Sequence, residues 1–223
     1  MDSTLVDELA FPGERRAAAL EALTGFGADA LPTLAAVLAR GTPEAKQNAA
    51  KALYFLLERG DATWTVARRD EALNALLAAL QSSDGDERAS MIDALGLLRH
   101  PGAIPALLAY LDDSNYLCVC AARALGRTDD PAVVEPLARV LADSRKFWVP
   151  RGAAAVALGD LGAAATPALP ALESALHNAV GRDETWDERA GEAVADAIAR
   201  IRAPGTPSAL TGHGSRYEMW GIS

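Results

Sequence analysis

"RGAAAVALGDLG", residues 151–162, is nearly devoid of functional side chains: Arg151 and Asp160 carry charge and the rest is Ala, Val, Leu and Gly. The outline is not unique. "RAAALEALTGFG" (16–27), "NAAKALYFLLERG" (48–60), "ASMIDALGLLRH" (89–100) and "CAARALGRTDD" (120–130) share it. Aligned on the Ala-Leu dipeptide, they place Leu23, Leu53, Leu95, Leu125 and Leu158 at intervals of 30, 42, 30 and 33 residues. A sixth, less regular copy ends near Ile198 in "ERAGEAVADAIARI". Before these segments lies a second helical pattern, "ALPTLAAVLA", "ALNALLAAL", "AIPALLAYL", "VVEPLARVL" and "ALPALESAL". The order is helix A, short turn, helix B, repeated about six times, and a recurring period of this size is the signature of stacked repeats. With "STLVDELA" as the first helix A, the count is about twelve helices.

Composition and punctuation agree with helices. Half of the 223 residues are hydrophobic but only 5% are aromatic, and the Ala and Leu that dominate lose little on entering a helix. Pro32, Pro105, Pro136 and Pro170 fall near the starts of A helices, where a missing N–H costs little. Asp and Ser cluster in the A-to-B turns, as in "LDDSN" and "LADSR", placed to cap the helix that follows. No segment sustains strand alternation.

These segments resemble the HEAT family, specifically the short bacterial repeats also found in phycobilisome lyase subunits. That pattern runs from a turn Asp through Val-Arg to Ala-Ala-x-Ala-Leu-Gly-x-Leu-Gly. "PRGAAAVALGDLG" (150–162) follows it with Pro150 in place of Val, while "ERASMIDALGLL" and "LCVCAARALG" follow it in part, the latter with Cys118 where Arg is usual. The expected fold is all-α, a right-handed α-solenoid of about six HEAT-like helix pairs over residues 1–202, with 203–223 a C-terminal extension. In such a stack the small residues of helix B are spacers that let helix axes approach, and Leu158 and Leu161 fill the remaining space.

Two charged columns follow from the register. Seven residues before the Ala-Leu leucine stand Arg16, Lys46, Arg88 and Arg151. In the resembled family this base pairs with turn acids, for which Asp84, Asp112 and Asp143 are the candidates here. Two residues before the leucine, or before Ile198, stand Glu21, Lys51, Asp93, Arg123, Val156 and Asp196. Helical geometry turns this second position away from the core, towards the B-helix surface that lines the concave side. It reads either as an internal salt-bridge ladder or as a mixed-charge binding floor, which Gln47, Asn48, Arg127 and Asp160 extend.

Tyr116, Phe147, Trp148 and Trp186 all fall where a helix B begins. They read as a row of aromatic anchors for a partner or as covers for the neighbouring turn. The 42-residue interval holds about twelve extra residues, relative to a repeat of about 30, around "ERGDATWTVARRDE" (58–71). Trp64, Arg68 and Arg69 there suit a partner contact, or a longer third helix A with Trp64 packed on the second repeat. In the extension, Tyr217, Met219, Trp220 and Ile222 read as a cap on the last repeat or as a linear motif.

Catalytic signals are missing from the sequence. His100, His177 and His213 have no metal-ligand spacing, and the histidine-glutamate pairs of HEAT-type hydroxylases do not occur. Cys118 and Cys120 stand two apart, a poor geometry for a disulfide or metal pair on a helix, and read as small thiols in a reducing compartment. A net charge of −9 disfavours phosphate backbones, no apolar run approaches bilayer length, and "MDSTLVDELAF" lacks the features of a signal peptide. The expectation is a cytoplasmic, non-enzymatic scaffold without cofactor that binds a protein or peptide, and neither nucleic acid nor membrane. Its partner contacts are expected among Gln47, Asn48, Lys51, Asp93, Tyr116, Arg123, Arg127, Trp148, Asp160 and Trp186. The resemblance supplies two alternatives: a lyase-like subunit handling a bilin and its acceptor protein, and a DNA-repair glycosylase, which Glu21, Asp93 and Asp160 disfavour.

Overall fold

A computed structural model describes residues 5, 8, 14–60, 62–113, 116–180, 188–203 and 205. Among these, the regular structure is helical throughout, with eleven α-helices and no strand. The chain divides into two compact units, Met1–Ala103 and Ile104–Ser223.

The first unit holds α1 (Glu14–Phe26), α2 (Leu31–Arg40), α3 (Pro43–Arg59), α4 (Val66–Gln81) and α5 (Glu87–Leu98). Helices α1, α3 and α5 pack in one row, α2 and α4 in a second, and each pair closes as α2 on α3 and α4 on α5. The second unit holds α6 (Ile104–Ala109), α7 (Tyr116–Gly126), α8 (Val134–Ala142), α9 (Trp148–Asp160), α10 (Leu169–Val180) and α11 (Glu188–Arg202). Here α7, α9 and α11 form the B row, while α8 and α10 pack together in the A row. Five helix pairs, preceded by α1, are complete among the described residues. Of the first helix A, "STLVDELA", only Leu5 and Glu8 are described, both helical, and the extension beyond Gly205 lies outside the described residues.

The small residues do what the register requires. In α9, residues 150–159 are all buried. A Cβ added at Gly126 of α7 would lie 2.8 Å from the Ala157 Cα of α9, and one at Gly159 would lie 2.9 Å from the Ala197 Cα of α11. Successive B helices therefore meet backbone to backbone, at positions where any side chain is too large. Around these contacts Leu125 and Leu158 are fully buried, as are Leu53 and Leu95 in the first unit.

Helix starts are only partly as expected. Thr42 accepts the Ala45 N–H and Thr65 the Arg68 N–H, each at 3.3 Å, capping α3 and α4. By contrast Asp86 before α5 makes no side-chain cap, and Phe147 before α9 cannot. Asp143, read from "LADSR" as a cap, instead accepts the Arg145 N–H and side chain within its own turn. Turn chemistry there competes with capping for the same carboxylate.

The extra residues lengthen a helix and pack it. At 16 residues, α4 exceeds α2 at 10 and α8 at 9. Trp64 is 6% exposed, Thr63 Oγ1 accepts the Ala28 N–H at 2.8 Å, and Arg68 meets Asp29 at 3.3 Å. Arg69 donates to the Leu98 carbonyl at 3.0 Å. These contacts anchor the segment to the turn before α2 and to the end of α5.

Candidate functional site

The first basic column is structural. Arg88 donates to the Ser83 carbonyl through Nε at 2.6 Å and also through Nη2. The Arg151 Nε donates to the Leu141 carbonyl at 2.9 Å, and Lys46 Nζ donates to Ser82 Oγ at 3.2 Å. Arg151 thus takes a carbonyl in the last turn of α8, which lacks an intrahelical donor, while Arg88 and Lys46 reach the residues that directly follow α4. Turn acids are not the partners in these bonds, and Asp143 is taken by Arg145. Cys118 occupies the same register and repeats the contact, its thiol donating to the Leu111 carbonyl at 3.1 Å. Burial pushes that thiol up to about 11, against a smaller opposing pull from Lys146. Cys120 is also buried, and its sulfur accepts from Arg123 Nη2 at 3.9 Å. The Arg16 side chain lies outside the described residues.

The second column is not uniformly at the surface. Glu21 and Lys51 are exposed, Asp93 and Arg123 half-buried, and Val156 and Asp196 buried. Glu21, Lys51, Asp93, Arg123 and Asp196 each take part in a polar or electrostatic interaction. Gln47 is half-buried beside them on α3, and Asn48 is 7% exposed, so Asn48 faces the interior.

One turn further along the same helix face, Arg127 and Asp160 line up with Arg200, which the sequence reading did not name. Arg127, Asp160 and Arg200 each lie two residues beyond the register leucine or isoleucine. Asp160 and Arg200 form an ion pair at 2.9 Å between α9 and α11, with both side chains 15% exposed. Their separation, close to one repeat, and their opposite signs were the available signal. Asp160 is thus a rung between helices, and Arg127 is half-buried in the turn directly after α7.

The aromatic edge takes shape in the second unit. Tyr116 is the first residue of α7 and 42% exposed. Phe147 immediately precedes α9 and is 77% exposed, and Trp148 opens α9 half-buried. Since α7 packs directly on α9, these rings start neighbouring helices. The connecting turns are tied together, because Lys146 Nζ donates to the Asp113 carbonyl at 2.9 Å. Arg145 meets Asp143 through Nε at 2.9 Å, and its hydrogen bonds pull the Asp143 carboxyl down to about 2. Trp186, the fourth aromatic of the row, lies outside the described residues.

Among the described residues no cluster of three or more His, Cys, Asp or Glu side chains is arranged to hold a metal ion. No described helix is long and apolar enough to cross a membrane. Residues 73–159 match the family model for HEAT repeats, and residues 150–178 match that for the PBS lyase HEAT-like repeat. Among curated proteins no relative matches the chain.

Proposed function

We propose that this chain, which carries HEAT repeats over residues 73–178, is a non-enzymatic scaffold that binds a protein or peptide. The aromatic edge of the second unit carries this reading. Large rings are scarce in the chain, yet Tyr116 and Phe147 stand exposed at the starts of two adjacent helices, with Trp148 beside them. Burying exposed aromatics is where protein interfaces gain most of their affinity. Arg123, Arg127, Gln47, Lys51 and Asp93 stand as further polar contacts, each read within its own unit. Asn48 and Asp160 support the scaffold from inside.

The test is capture from the native lysate by wild type and by a Tyr116→Ser/Phe147→Ser double variant. Both side chains are exposed, so far-UV circular dichroism should be unchanged. Loss of two anchors should weaken capture about tenfold or more. Full capture by the double variant overturns the assignment of this edge. The repeat matched at 150–178 is named for PBS lyase, which supports a second reading, a subunit that handles a bilin. A new visible absorbance band on mixing with a linear tetrapyrrole would favour it.

A further inference from the structure

We infer that His100 is a proton-operated latch on the turn that ends the first unit. The ring follows α5 directly, and its two nitrogens have different partners. The Gly102 N–H donates to Nδ1 at 3.0 Å, while Nε2 lies 2.9 Å from Asp70 Oδ1 on α4. An amide N–H only donates, so Nδ1 must be the unprotonated nitrogen and the ring a neutral Nε2–H tautomer, donating to Asp70.

The turn is built around this arrangement. A Cβ at Gly102 would lie 2.8 Å from Leu73 Cδ2 and 3.0 Å from Nδ1, so glycine is what lets the amide reach the ring. The side chain of His100 is 24% exposed, open to protons from solvent. From α4 the ring meets Asp70, with Arg69 bound to the Leu98 carbonyl nearby. From the end of α5 it adjoins Arg99, which closes that helix at φ 48°.

Adding a proton to Nδ1 turns the acceptor into a donor that faces another donor. The Gly102 bond must then break, while the bond to Asp70 gains charge assistance and keeps the ring in place. Protonation therefore releases the Gly102 amide, while the Ala103 N–H keeps its 2.9 Å bond to the His100 carbonyl and α4 and α5 stay joined through Asp70.

Nitrogen-15 NMR of the full chain tests this, with His100→Gln identifying the ring signals. The neutral ring should show the Nε2–H tautomer. As the ring takes up a proton, Gly102 amide exchange, corrected for the intrinsic pH dependence, should accelerate about five- to tenfold, the loss of one net hydrogen bond. Asp70→Asn keeps an acceptor for Nε2–H without the charge, so there the Gly102 change should follow the ring to its new midpoint. An Nδ1–H tautomer in the neutral ring, or Gly102 exchange indifferent to ring protonation, would each overturn the latch.

Discussion

Glycine-to-alanine substitutions at two helical positions should change stability in opposite directions. At Gly126 the new Cβ would lie 2.8 Å from Ala157 Cα, 2.9 Å from Ala157 Cβ and 3.2 Å from Ala157 O. None of these is the movable tip of a side chain, so α7 and α9 must separate. Overpacking of this kind costs about 1–3 kcal/mol. Alanine recovers at most about 1 kcal/mol of helix propensity relative to glycine, and less near a helix end. The net expectation for Gly126→Ala is a loss of about 1–2 kcal/mol. At Gly25, next to the end of α1, an added Cβ meets nothing within 4 Å, so only the propensity term acts, for a gain of up to about 0.5 kcal/mol. Urea titration followed by circular dichroism reads both, and thermal midpoints should move about 2–4 °C per kcal/mol. A Gly126→Ala protein as stable as wild type, alongside a stabilised Gly25→Ala, would show that α7 and α9 do not touch through their backbones.

Leu125→Ala and Leu158→Ala remove fully buried side chains and should each cost about 2–5 kcal/mol in the same titration. The Asp143 carboxyl, held at about 2 by Arg145, should stabilise its turn fully above the ordinary carboxylate range. That contribution fades as pH falls towards about 2, and carboxyl NMR of Arg145→Ala should show the midpoint rising. Cys118, buried and raised to about 11, should resist a thiol reagent at neutral pH until denaturant is added, and rapid native labelling would contradict its placement.

The fold was legible because one local signal, the Ala-Leu dipeptide, repeats in register with helix packing. The stretch at 151–162 announces by its lack of side chains that backbones meet there. Partners were harder to read than positions. The basic column was expected to meet carboxylates, yet Arg88 and Arg151 meet carbonyls, acceptors that every residue carries and no sequence pattern marks. Where the charged column has its gap, at Val156, an ion pair stands one turn further on, at Asp160. Four residues apart on a helix is the same face one turn on, so this rung lies on the expected face at a different height. Height depends on how far one helix slides along the next, which close contacts such as Gly159 on Ala197 determine. Of the aromatic edge, the location at helix starts was readable, but the exposure of Phe147 against the half-burial of Trp148 was not.

Among the described residues, the polar ties that join one repeat to the next have a common span. Ala28 to Thr63 is 35 residues, Lys46 to Ser82 is 36, Arg68 to Asp29 is 39 and Asp70 to His100 is 30. In the second unit Lys146 to Asp113 is 33 and Arg200 to Asp160 is 40. Each reaches across about one repeat and no further. A chain wired this way never waits for a distant segment to arrive, so its loop-closure cost stays small and its contact order low. During synthesis, every helix pair that leaves the ribosome finds its only required neighbour already made, and each unit can be completed from its N-terminal end as fast as it is translated.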